Sequence, residues 1–210
     1  MARYTGPVCR LCRRHGEKLF LKGERCYSSA CAIERRQGGP GQHGRMRRGG
    51  GSDYKRQLQE KQKLRTSYGC LKEKTLVSTF EKAIKKEGVA GTNLLGLLEA
   101  RLDNVVYRLG FAFSRAHARQ LVVHGHIQVN GRKLDKPSSL IKVGDVISIS
   151  EKQKANHLIT ASVEAASARI IPEWLELEKA ALKGTVKAMP TREQMPQNLN
   201  EQQVVELYSR

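Results

Sequence analysis

Apolar residues recur at helical spacing through most of the chain beyond residue 52, and alternate with polar ones in only one stretch. Residues 53–65 read as a helix capped by Ser52 or Asp53, with Tyr54 and Leu58 one turn apart. Residues 74–86 carry Leu76, Phe80, Ala83 and Ile84 as the stripe of a second helix. Gly88 and Gly91 interrupt. Thr92 or Asn93 then opens a third helix to about residue 109, broken or continued near Ala100. Its Leu98, Leu102, Val105 and Leu109 fall in one arc, Arg101 and Arg108 share the neighbouring arc, and Gly110 supplies the stop. Ser114 caps a short helix from Arg115 to about His124, ended by Gly125.

Alternation begins at Ile127 and Val129 and runs into Asn130-Gly131, a strong hairpin-turn signal. Val143-Gly144-Asp145 reads as another turn, and Val146, Ile147 and Ile149 as a strand. Residues 98–150 thus form a unit of two helices followed by a small β element. Beyond it, residues 157–168 suit an Ala-rich helix, and residues 174–189 fit no single element. Asn200 caps a last helix with Gln203 in the capping-box place, and Val204, Leu207 and Tyr208 give it a face to dock.

Residues 1–50 differ. They have little periodicity, many glycines and too few apolar residues to form a core unaided. Within them Cys9 and Cys12 form a C-x2-C pair and Cys26 and Cys31 a C-x4-C pair. Short loops of this kind bring two thiolates within reach of one ion, and two loops complete the tetrahedron that zinc prefers. Such a closed site has no open position for a substrate, so its role is structural. Disulfides suit a secreted chain, whereas no apolar core of a signal peptide precedes these cysteines, which places the protein in a reducing cytoplasm. An iron–sulfur cluster remains an alternative for the same four thiolates. Cys70 reads as a packing residue, and His15 and His43 as polar or RNA-facing side chains rather than extra ligands.

Charge sharpens the picture. Lys and Arg total 38 against 20 Asp and Glu, a net charge of +18. Residues 1–68 carry +12, residues 69–150 carry +6, and residues 151–210 are neutral. This asymmetry points to a polyanionic partner on the first two-thirds of the chain. No apolar run approaches the roughly 20 residues of a membrane-spanning helix. Arg suits phosphate because its planar fork donates bidentately. In the cysteine segment the candidates are Arg3, Arg10, Arg13, Arg14, Lys22, Arg25, Arg35 and Arg36, and in the glycine-rich loop after it His43, Arg45, Arg47 and Arg48. Lys55, Arg56, Lys61, Lys63 and Arg65 stud the first long helix. Arg101, Arg108, Arg115, Arg119, His124, His126, Asn130, Arg132 and Lys133 belong to the second unit. Aromatic residues are only 5% of the chain and form no stacking platform, so RNA recognised by shape and backbone fits better than single-strand base reading.

Residues 101–111 (RLDNVVYRLGF), Ser114-Arg115, residues 118–122, His124-Gly125-His126-Ile127 and Val129-Asn130-Gly131 resemble the S-four family of bacterial small-subunit ribosomal proteins. Tyr4, Gly6-Pro7, Cys9, Cys12, the Pro40-Gly41-Gln42-His43-Gly44 run and the closing Tyr208-Ser209-Arg210 extend the likeness over essentially the whole chain. The resemblance implies a structural, non-catalytic protein that binds 16S ribosomal RNA at a multi-helix junction of the 5′ domain. It also implies a part in starting assembly of the subunit body. Ribosomal protein S-five and messenger RNA are the implied neighbours, with a bearing on translational accuracy. Members with four such cysteines carry a metal.

The expected class is therefore α+β, predominantly helical. It comprises a four-cysteine metal knuckle (1–45), a helical domain (46–97 with 190–210) and an inserted RNA-binding domain (98–189, core about 98–150). RNA-modifying and tRNA-charging enzymes share the module but append a large catalytic domain, and here only about sixty charge-balanced residues follow it. Asp103 and Asp135 are the tempting acids. Pairing with Arg is the simpler role for Asp103, and Asp135 lies in a Pro-containing turn. A zinc-dependent DNA-binding regulator would want a recognition helix within the knuckle, and none is evident.

Overall fold

The computed structural model describes residues 4–36, 38–42, 44, 51–166 and 171–209. The fold is α+β and mostly helical. Its contacts divide into two units, Met1–Leu94 with Pro196–Arg210, and Leu95–Met195. Among the described residues no helix is long and apolar enough to cross a membrane.

In the first unit, α1 (Val8–His15) stops where Gly16 adopts φ 76° and donates its N–H to the Cys12 carbonyl at 2.9 Å. A 3-10 turn (Gly23–Cys26) and α2 (Ala32–Arg35) follow. Buried Cys12, Leu19 and Leu21, with Val8, Leu11 and Ile33 against them, form a small core of their own. α3 (Asp53–Ser67) starts where the Ser52 hydroxyl accepts from the Lys55 N–H.

The buried face of α3 is not the expected apolar one. Tyr54 is 54% exposed, and the buried side chains are Gln57, Lys63, Leu64, Thr66 and Ser67. Hydrogen bonds satisfy most of these polar groups, although the Gln57 Oε1 is buried without a partner among the described residues. Thr66 and Ser67 donate to the carbonyls of Gln62 and Lys63, while Gln57 donates to Glu206 at 3.1 Å.

α4 (Glu73–Ile84) buries Leu76, Phe80 and Ala83, but Ile84 points to solvent. α5 (Ala90–Glu99) starts before Asn93. That side chain instead donates to the carbonyls of Ala83, Lys86 and Glu87, closing the end of α4.

In the second unit the helical pattern breaks at Arg101, which is extended (φ −67°, ψ 138°) and bridges Leu140 in antiparallel fashion. Leu102 N–H donates to Ser139 and Ile141 N–H to Ala100, both at 2.9 Å. α6 (Leu102–Arg108) resumes beyond the break, and α7 (Arg115–Val123) is capped by the Ser114 hydroxyl. β1 (Ile127–Val129) turns through Asn130 (φ 51°) and Gly131 (φ 77°) into β2 (Arg132–Lys133). Both turn residues need positive φ, hence Asn-Gly.

β3 (Val146–Ile149), α8 (His157–Ala166), β4 (Leu175–Glu178) and β5 (Lys183–Val186) complete the unit. The sheet is antiparallel with strand order β2-β1-β3-β5-β4, larger than the small β element the alternation suggests. The unassigned residues 174–189 supply its last two strands. A side chain at Gly184 would crowd the core, because a Cβ would lie 2.4 Å from a Leu109 methyl. Leu102, Val105, Phe111, Ala118, Val122, Ile127, Ile147, Ile149, Ile159 and Trp174 form the core between the helices and the sheet. Each fully buried aliphatic or aromatic side chain contributes about 1.5–3 kcal/mol.

α9 (Glu201–Tyr208) returns the chain to the first unit, where Asn200 caps it and it docks on α3. Val204 is buried, the Tyr208 ring lies 4.8 Å from Phe80, and its hydroxyl donates to Glu73 at 2.9 Å. Burial raises the hydroxyl of Tyr208 far above its ordinary pKa, and the Glu73 contact adds to the rise. For Glu73, burial works upward, but Lys61, Tyr208 and Arg65 together hold the carboxyl below its ordinary value.

Candidate nucleic-acid interface

The four candidate cysteines all lie within the first unit. Cys9 and Cys12 lie on α1, Cys26 closes the 3-10 turn, and Cys31 precedes α2. All are free thiols. The Lys22 N–H donates to the Cys26 sulfur at 3.4 Å. Burial pushes the Cys12 and Cys26 thiols above their ordinary range, and neighbouring cysteine sulfurs push in the same direction. Among the described residues, however, no three or more His, Cys, Asp or Glu side chains are drawn into a group that could hold a metal ion. Sulfurs that accept backbone N–H bonds and oppose one another's ionisation are a donor set to which a cation is suited.

Beside the cysteines lies an open hollow of about 660 Å³. Arg10, Arg13, Lys22, Arg25, Arg35 and Arg36 line it, with Pro40, Gly41 and no carboxylate among the described lining residues. Arg13 donates to the carbonyls of Gly38 (3.3 Å) and Gly39 (2.9 Å), and Arg25 to Ala30 (3.2 Å). These bonds fix guanidinium groups that still have donors to spare. The loop is tight: the Gly39 N–H bonds the Gly44 carbonyl at 2.8 Å, and a Cβ on Gly44 would meet the Gly39 carbonyl oxygen at 2.0 Å. Arg3, His43, Arg45, Arg47 and Arg48 lie outside the described residues.

The cations of α3 divide by role. Lys55 is exposed, and Arg56 is exposed while pairing with Asp53. Arg14, Lys55 and Arg65 line a second pocket of about 670 Å³. Lys61 pairs with Glu73 at 2.7 Å and lies over the Tyr208 ring. Lys63 is only 6% exposed and sits between Glu17 (3.0 Å) and Glu60 (3.6 Å), so its ammonium holds the unit together rather than facing solvent.

In the second unit Arg101 is likewise 4% exposed, gripping Asp103 bidentately at 3.0 and 2.7 Å. Asp103 also accepts from Arg119 at 3.1 Å. Glu99, buried on α5, accepts two bonds from Arg108 (3.1 and 2.7 Å) and one from Asn104 (2.6 Å). Asn104 in turn accepts from Arg115 at 2.8 Å, and that guanidinium stacks 4.6 Å from the Tyr107 ring. The acids Glu99 and Asp103 thus orient the cations of α6 and α7. Sequence reading missed Glu99 and Asn104. The signal was available, since an acid and an amide in an apolar helical stripe call for buried partners.

The end of α7 and the hairpin of this unit present imidazole, amide and cationic side chains. His124 and His126 meet edge to face at 5.8 Å, and exposed Asn130, Arg132 and Lys133 follow on the hairpin. Lys133 lies over Gly125, where a Cβ would come within 1.9 Å of its side chain. Burial lowers the His126 pKa, and His124 and Lys133 lower it further; burial alone lowers that of His117.

Two family models match consecutive stretches of the chain. The model described as Ribosomal protein S4/S9 N-terminal domain matches residues 3–99, and that described as S4 domain matches residues 100–147. The small ribosomal subunit protein uS4 of Syntrophus aciditrophicus is 57% identical, that of Geobacter sp. (strain M21) 58%, and that of Thermus thermophilus 55%. Each alignment spans 210 residues and covers 100% of both chains. The chain belongs to the uS4 family of small ribosomal subunit proteins.

Proposed function

We propose that the chain is a non-catalytic constituent of the small ribosomal subunit that binds 16S ribosomal RNA at a multi-helix junction of the 5′ domain. In this role it nucleates assembly of the subunit body. It works in the cytoplasm beside ribosomal protein S-five, near the path by which messenger RNA enters, and contributes to translational accuracy. The observation that carries the proposal is the hollow lined by six cations and no carboxylate among the described residues. Its hydrogen-bonded guanidinium groups are held ready for phosphate. The basic hairpin and α7 of the second unit add a further contact surface.

A structural zinc ion on Cys9, Cys12, Cys26 and Cys31 belongs to the same proposal, with an iron–sulfur cluster as the alternative. The ion would neutralise the thiolates and tie α1 to the turn and to α2, next to the cationic hollow. Elemental analysis of the purified protein decides this point, and neither zinc nor iron present would refute it.

Binding to a junction-containing small-subunit RNA and to duplex DNA, compared at matched salt, tests the main reading. Six neutralised phosphates give a slope of about −5 in log K against log salt, hence roughly a 10³-fold loss from 50 to 200 mM. Arg10→Ala should make that slope shallower by about one unit. Equal or tighter binding to DNA would sink the proposal.

A further inference from the structure

The second pocket of the first unit differs in chemistry from the cationic hollow. Its walls are apolar and amide-bearing: Leu11 from α1, Leu58, Gln59 and Gln62 from α3, and Leu71 just beyond. Tyr4 lines it too. The Tyr4 ring is backed by Gly6, where a Cβ would stand 2.7 Å from the phenol oxygen, so a side chain there would push the ring from this position. Arg14, Lys55, Arg65 and Lys72 stand on the same lining, with no carboxylate among the described lining residues.

We propose that this pocket receives the base of one unstacked nucleotide of the RNA, and this rests on the RNA-binding function proposed above. A base has an apolar face and a polar edge. Leucine walls and a tyrosine ring accept the face, and glutamine amides offer both a donor and an acceptor to the edge. Exposed Lys55 and Lys72 stand where the flanking phosphates would be drawn. Among the described residues that line the cationic hollow there is no leucine and no amide side chain, so its described lining suits backbone. The two sites divide the work: one positions the RNA, the other reads an unpaired position in it. An amphipathic protein segment would satisfy the leucines equally, but cations without a carboxylate among the described lining residues favour the polyanion.

The test uses the full chain, a junction-containing small-subunit RNA, and Tyr4→Ala, Tyr4→Phe and Gln59→Ala variants; both positions are exposed, so folding is not at stake. Tyr4→Ala should weaken binding about tenfold, the scale of one lost base contact. The salt slope should stay unchanged, because the ring touches no phosphate. Tyr4→Phe should restore most of the affinity. Chemical probing should show one unpaired nucleotide that the parent protects and that Tyr4→Ala and Gln59→Ala leave reactive. Parent-like affinity and footprint in these variants, while Arg10→Ala still weakens binding, overturns the pocket and leaves the RNA-binding function standing. A loss confined to mixtures containing other subunit proteins assigns the pocket to a protein segment and equally overturns it. A parent chain that does not bind the RNA removes both readings.

Discussion

An Asp103→Asn substitution strikes the carboxylate on which two guanidinium groups converge. Arg101 is 4% exposed and has its Nε and one terminal nitrogen committed to Asp103 at 3.0 and 2.7 Å. Neutralising the acid leaves that guanidinium buried without a counter-charge, a change that costs about 3–5 kcal/mol. Arg119, whose side chain is 19% exposed, can turn to water and adds little. Salt screens a buried pair weakly, so the loss should be similar at low and at high salt. Trp174 makes the assay specific: it is the single tryptophan, it is 3% exposed, and it lies in the core of the second unit. At a urea m-value of about 2 kcal/mol/M, the Trp174 fluorescence midpoint should fall by roughly 2 M. Combining Asp103→Leu with Arg101→Met should recover most of the loss, because an apolar pair replaces a buried ionic one at little cost. A single variant whose midpoint stays within about 0.3 M of the parent would falsify the view that this ion pair secures the break between α5 and α6.

Gly184→Ala should lower the same midpoint by the equivalent of about 1–3 kcal/mol, since its Cβ collides with Leu109; an unshifted midpoint would mean the strand slides aside freely. Burial holds the His117 pKa below its ordinary 6.5, so the folded state takes up its proton less readily than the unfolded chain. The associated stability is complete above pH 6.5 and is lost as pH falls below it. His117→Gln should flatten the drop in Trp174 midpoint between pH 7.5 and 5.5, and an equally steep drop would point to other groups. Chelation should expose residues 1–45 to protease before the helical remainder, and uniform resistance would count against a structural metal.

Local signals in the sequence carried much of this fold. Ser52, Ser114 and Asn200 each cap the helix their position announces, and Asn130-Gly131 makes the turn its backbone preference demands. What escaped notice depends on partners distant in sequence. Asn93 closes α4 instead of opening α5, because three carbonyls converge on its amide. Tyr54 is exposed while Gln57 and Lys63 are buried, since Glu206 and Glu17 receive them. β4 and β5 carry charged residues between short apolar positions, a pattern that becomes a strand only when β3 offers an edge. Charge asymmetry pointed only to the first two-thirds of the chain, within which Arg10, Arg13, Lys22, Arg25, Arg35 and Arg36 line one hollow. It could not separate Arg101 and Lys63, which face carboxylates inside the protein, from cations presented outward, because burial is a property of the folded chain.

The docking of α9 on α3 bears on the order in which the molecule is completed during synthesis. Tyr208 finds its partner 135 residues earlier, and Glu206 its partner 149 residues earlier. The second unit is one continuous stretch of chain, whereas the first is assembled from two segments distant in sequence. The first unit, although its cations emerge first, must wait for the last segment before α3 is covered. A nascent chain therefore passes through an interval with an open, positively charged frame. During that interval, premature capture by nearby polyanions competes with closure.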